Sequence, residues 1–171
     1  FTFTHFVRSV NCALIKDKLM DKLVIEGGVR LNGAVTISGA KNAVLPMLAA
    51  TLLTEDDCII KNVPALGDTN TMLRLLRSLG KNVEMENGQI IVSQKGELNP
   101  VAEYKLVSTM RGSFCVLGPL LAKLKKAKVS LPGGCAIGLR PVDLHLKGII
   151  SLGANIKIEN GYVIATARRM R

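Results

Sequence analysis

The feature that most limits how this chain can fold is a sequence it contains twice. Ser78-Leu79-Gly80-Lys81-Asn82-Val83-Glu84-Met85-Glu86-Asn87-Gly88-Gln89-Ile90-Ile91 returns 73 residues later as Ser151-Leu152-Gly153-Ala154-Asn155-Ile156-Lys157-Ile158-Glu159-Asn160-Gly161-Tyr162-Val163-Ile164. Each copy reads as a helix end followed by a hairpin. Gly80 and Gly153 suit the left-handed position that closes a helix. Asn87-Gly88 and Asn160-Gly161, set between alternating or β-branched residues, are strong two-residue hairpin signals. Agreement in both order and spacing points to a duplicated α/β unit.

Working back from these anchors, each unit holds an earlier apolar helix, predicted over 41–53 and 107–121, and a later one, over about 70–79 and 142–152. Short strands are expected at 35–37, 58–61 and 128–131. The stretches 48–53 and 114–121 are apolar nearly all round, which suits helices enclosed within a domain. The starts of the first helices also correspond. Ser38-Gly39-Ala40-Lys41 aligns with Ser108-Thr109-Met110-Arg111 at an offset of 70, so a cation recurs near a helix N-terminus. A positive charge there opposes the helix dipole unless an anion is bound beside it. The alternative is two exposed helix ends with solvated stems.

A third motif runs from Ser130 to His145, SLPGGCAIGLRPVDLH. Gly133, Gly134 and Gly138 allow sharp turns and close backbone approach to a ligand. Pro141 suits the first position of a helix, and Asp143 falls in its first turn, where a carboxylate complements the dipole. Arg140 then sits where free backbone amides and a guanidinium could converge on phosphate. Spacing alone leaves open a plain Pro-Gly connection in which Cys135 is a small hydrophobe and Arg140 is solvated.

Over 171 residues, 48% hydrophobic and 21% charged content argues for a folded core. The net charge of +10 is uneven: residues 1–92 carry 10 basic and 9 acidic residues, and residues 93–171 carry 13 and 4. Lys123, Lys125, Lys126 and Lys128 form the obvious basic patch, read as a solvated loop. With 4% aromatic residues, no tryptophan and no stacking motif, nucleic-acid binding is not expected. Cys12, Cys58, Cys115 and Cys135 are scattered without paired spacing, so neither a zinc site nor a disulfide framework is supported. No apolar run reaches membrane-span length and no secretory pattern is present, which makes a cytoplasmic location the expectation and no membrane partner.

The SLPGGCAIGLRPVDLH motif, with TISGAKNAVLP at Thr36–Pro46 and STMRGSFCVLGPL at Ser108–Leu120, resembles the UDP-N-acetylglucosamine 1-carboxyvinyltransferase family of enolpyruvyl transferases, collinearly from Met20 to about Ala167. The resemblance implies an α/β fold of repeated units with buried helices, an inside-out α/β barrel. It implies three repeats in each of two domains, with substrates in the cleft between them. On that pattern residues 1–19 are an extension outside the resemblance, 20–40 belong to the second domain, and 41–171 form an incomplete first domain of two repeats.

The implied reaction moves the enolpyruvyl group of phosphoenolpyruvate to the 3′-hydroxyl of UDP-N-acetylglucosamine, releasing phosphate. It uses no metal or cofactor, since side chains supply the cations. The resemblance assigns Cys135 as general acid and nucleophile, a role open to a thiol largely protonated at neutral pH. Lys41, Asn42 and Arg111 would contact phosphoenolpyruvate. Arg140, Pro141, Val142, Asp143 and Leu144 would hold the uridine diphosphate end, with His145 close by. The base for the sugar hydroxyl, an aspartate in relatives, belongs to the other domain, and fosfomycin-type epoxides are expected to alkylate Cys135. Cys115 stands where some relatives carry tryptophan beside the substrate, and Cys58 and Cys115 are expected to be buried and inert. The related 3-phosphoshikimate 1-carboxyvinyltransferases are an alternative, against which the Gly-Gly-Cys loop argues. A basic, non-enzymatic binding module is the other.

Overall fold

Gly88, Asn160 and Gly161 all take the positive φ that tight hairpin turns require. The computed structural model describes residues 11–16, 21–28, 30, 32–86, 88–132 and 141–170. The chain divides into two compact units, residues 1–37 and 38–171. The first contains an antiparallel pair, β1 (Asn11–Lys16) and β2 (Asp21–Glu26), registered from Asn11 opposite Glu26 to Lys16 opposite Asp21. The strand expected at 35–37 does not form: Val35 and Ile37 are 77% and 82% exposed and pair with nothing among the described residues. β-branched residues favour a strand only where a neighbouring strand covers them.

The second unit shows the duplication. Its first half runs α1 (Lys41–Ala50) with a 3-10 turn at Thr51–Leu53, β3 (Cys58–Ile60), α2 (Gly67–Ser78), β4 (Lys81–Glu86) and β5 (Gln89–Gln94). The linking β6 (Val101–Ala102) and α3 (Tyr104–Val107) follow. The second half runs from a 3-10 helix at Arg111–Val116 into α4 (Leu117–Leu124), β7 (Lys126–Ser130), α5 (Asp143–Ser151), β8 (Asn155–Glu159) and β9 (Tyr162–Thr166). The sheets share one order, β3-β5-β4 and β7-β9-β8, with β6 added in parallel on β7. Glu86 pairs with Gln89 and Glu159 with Tyr162, leaving two-residue turns. Asn160 and Gly161 both have positive φ, 50° and 76°, as a type I′ turn requires. Gly80 and Gly153 each end a helix at φ 98°.

Residues 107–121 do not form one helix. α3 stops at Val107, Met110 is extended, and the chain restarts as a 3-10 helix at Arg111. Hydroxyls bond to the backbone around the break: Thr109 donates to the Leu106 carbonyl at 2.8 Å and Ser113 to that of Val107 at 3.0 Å, bonds of a kind that weaken and bend a helix. Gly112 lets the restarted segment lie against α1, since a Cβ there would stand 2.9 Å from a Leu45 methyl.

Leu48, Leu52, Met72, Leu76, Leu117 and Leu121 form the centre of the core, with Val92 and Val163 of the two sheets packed outside them. Burial is one-sided at the ends. Leu53 lies within the stretch 48–53, apolar nearly all round, yet is 49% exposed, and α5 has no buried residue. The lysine patch is not a loop: Lys123 lies in the last turn of α4 and pairs with Glu55 at 2.8 Å, Lys125 caps that helix, and Lys126 and Lys128 lie on β7. The Lys128 ammonium stands 4.7 Å from the Tyr162 ring centre. No described helix is long and apolar enough to cross a membrane.

Candidate active site

Both repeats present a cation at the first residue of their leading helix. Lys41 opens α1 after an extended Ala40, with no side-chain cap and no acidic residue in the first turn. Its leading amides therefore lack the carboxylate or hydroxyl that normally satisfies them. Pro46, inside α1, has no N–H to give the Asn42 carbonyl, so that group too is left outside the helical ladder. Asn42 is exposed beside Lys41. The Lys41 ammonium contacts the Asp68 carboxylate at 2.9 Å, and Asp68 lies in the first turn of α2.

Arg111 opens the 3-10 helix after an extended Met110. Its guanidinium donates to the Pro141 carbonyl at 2.8 Å, joining the leading helix of the second repeat to the approach to α5. Phe114, one turn along, meets His145 edge to face, with ring centres 6.2 Å apart at 88°. Arg111, Pro141 and His145 are thus brought together, with Val142 buried and Asp143 and Leu144 exposed. α5 begins at Asp143 with Val142 as its cap, so Pro141 precedes the helix instead of starting it. In a helix starting at Pro141 that carbonyl would accept from the His145 amide; here the Arg111 guanidinium takes it. Asp143 does lie in the first turn.

Cys135, Arg140 and the glycines at 133, 134 and 138 lie outside the described residues. Cys58 and Cys115 are half-buried, not buried as expected, because each lies at the margin of the core. Burial pushes the Cys115 thiol up, and the neighbouring Arg111 charge partly opposes this. Among the described residues no group of three His, Cys, Asp or Glu side chains is placed to hold a metal. Two partners escaped the sequence reading. Phe114 carried no signal apart from its apolar setting. Asp68 did: aligned through Gly80 and Gly153, it is the counterpart of Pro141, and both partner the cation of their own repeat.

A family model described as EPSP synthase (3-phosphoshikimate 1-carboxyvinyltransferase) matches residues 25–170. The chain belongs to the EPSP synthase family. Within that family it is 54% identical over 155 residues to a UDP-N-acetylglucosamine 1-carboxyvinyltransferase of Anaeromyxobacter, and 56% identical over 153 residues to one of Dichelobacter nodosus. Those alignments take in 89% of this chain but only 37% and 36% of the relatives, so the chain spans little more than a third of their length. The enolpyruvyl transferase NikO of Streptomyces tendae superposes with a TM-score of 0.69 at 24% identity, over 84% of this chain and 32% of that one. An EPSP synthase of Acinetobacter baumannii gives 0.57 at 18%, over 80% and 32%. At such identities these two establish the fold alone, an incomplete α/β fold of the enolpyruvyl transferase type. Both of these sequence relatives, each above half identity, carry the sugar-nucleotide name and not the shikimate one.

Proposed function

We propose that this chain supplies one wall of the active site of a UDP-N-acetylglucosamine 1-carboxyvinyltransferase, the transferase that starts peptidoglycan synthesis. The identity of 54–56% to proteins of that name carries the reading. The contact between Arg111 and Pro141 supports it, because it links the phosphoenolpyruvate-contacting cation to the segment proposed to hold the sugar nucleotide.

In this reading Lys41 and Arg111 neutralise the phosphate and carboxylate of phosphoenolpyruvate, the guanidinium through paired hydrogen bonds and the ammonium as a point charge. Asn42 donates an amide hydrogen bond to the same ligand. Proton and oxygen add to opposite ends of the alkene. The methylene carbon takes a proton from the Cys135 thiol, and the neighbouring carbon forms a bond to the sugar 3′-oxygen as that hydroxyl loses its proton to a base outside this chain. The bond from the adduct's central carbon to the phosphate oxygen then breaks, releasing phosphate, and a methyl proton returns to the Cys135 thiolate as the alkene is restored. Cations already in place stabilise the charge that develops between these steps. Arg140 and the Pro141–Leu144 segment hold the diphosphate, and His145, oriented by Phe114, borders it.

The test is alkylation by fosfomycin followed by peptide mass mapping. Label on Cys135, with protection by phosphoenolpyruvate, is the expected result. Label confined to Cys12, Cys58 or Cys115 refutes the assignment.

A further inference from the structure

The two cations are each held, but by unlike partners. Arg111 is tied to a neutral carbonyl, that of Pro141, whereas Lys41 meets the Asp68 carboxylate at the equivalent position of its own repeat. Arginine carries a planar fork that orients itself through several donors; lysine is a point charge on a flexible four-carbon stem. A lysine that must meet a small anion at a fixed place therefore needs an external anchor more than an arginine does.

We propose that Asp68 is a positioning residue for Lys41: one N–H of the ammonium is held by Asp68, which aims the other two at an anion seated against the start of α1. This rests on the proposed function, in which that anion is phosphoenolpyruvate. The side chains of Lys41 and Asp68 are 46% and 38% exposed, and ion pairs so open to water add little to stability. Asp68 lies in the first turn of α2, where its carboxylate is already favoured by the helix dipole, so it is a preset anchor. Lys41 at the head of α1 faces the opposite field, with no acidic residue in its own first turn, and Asp68 is the carboxylate it meets. The anchor lies across from the helix start, in the following helix of the same repeat, so the ammonium can bridge Asp68 and a ligand through different N–H groups.

The two conceivable effects of Asp68 have opposite signs. If it positions Lys41, Asp68→Ala weakens phosphoenolpyruvate binding, while Asp68→Asn, which keeps an acceptor oxygen, holds it near the wild-type value. If it merely neutralises Lys41, both substitutions tighten binding. The experiment is titration of phosphoenolpyruvate into the full chain with UDP-N-acetylglucosamine saturating, for wild type, Asp68→Ala and Asp68→Asn, with thermal unfolding of each as a control on the fold. Expected are a Kd about tenfold weaker for Asp68→Ala, a change below about threefold for Asp68→Asn, and similar melting temperatures. Unchanged or tighter binding by Asp68→Ala overturns the positioning role and leaves the proposed function standing. A wild-type chain that binds no phosphoenolpyruvate overturns both.

Discussion

Gly39, two residues before Lys41, has no room for a side chain. A Cβ built on it would collide with the backbone carbonyl oxygen of Asn62 and reach within 3.4 Å of the Pro64 ring. The obstacle is backbone on both sides, and Asn62 is itself held at φ 55°, so neither segment can yield as a flexible side chain would. Forcing a methyl into such a contact costs roughly 1–3 kcal/mol. For a chain of this size that is about 2–12 °C in melting temperature. Gly96 provides the control, since nothing lies within 4 Å of its Cβ position. There the loss of unfolded-state freedom makes alanine neutral or stabilising by up to about 1 kcal/mol. Urea and thermal unfolding of Gly39→Ala and Gly96→Ala, followed by far-ultraviolet circular dichroism, should separate the two by several degrees. Because Gly39 leads directly into α1, the destabilised variant should also bind phosphoenolpyruvate more weakly. A Gly39→Ala protein as stable as Gly96→Ala would refute the close approach and the packing that sets Lys41.

Leu76 is completely buried at the centre of the core, and Leu76→Ala should cost about 2–5 kcal/mol in denaturant unfolding. Gly161 holds φ 76° at its hairpin turn with open space around it, so Gly161→Ala should lose about 1 kcal/mol from backbone strain alone. Lys81 is buried with its ammonium donating to the Thr54 carbonyl at 2.6 Å, and burial lowers its pKa from the ordinary lysine value. The unfolded chain then binds more protons than the folded one just below the ordinary lysine range, so stability attributable to this group rises with pH there. Comparing unfolding of wild type and Lys81→Met between pH 8 and about 10.5 should show that rise in wild type only.

The repeat was legible because it rests on local rules. Gly80, Gly153 and the Asn-Gly turns need particular backbone angles that few other residues supply, so the hairpins and their matching sheet orders could be read before any contact was known. The recurrence of a cation at the two helix starts was legible by alignment, and Lys41 and Arg111 do open their helices. What failed depended on tertiary partners. The segment restarted after 108–110 lies against α1 through Gly112 and Leu45, and the approach to α5 is held by a guanidinium reaching across 30 residues to Pro141. Val35 and Ile37 have strand composition but no strand partner among the described residues, and Leu53 is apolar without being enclosed. Aligning the repeats one step further, from Pro141 back to Asp68, would have found the partner of Lys41.

The most direct test is a comparison of acceptors by amide NMR on the full chain, adding UDP-N-acetylglucosamine and shikimate 3-phosphate separately in the presence of phosphoenolpyruvate. UDP-N-acetylglucosamine should shift the amides of Val142, Asp143, Leu144 and His145 and the side chain of Arg111, while shikimate 3-phosphate leaves them in place. The same shifts from shikimate 3-phosphate, or none from the sugar nucleotide, would contradict the proposed function.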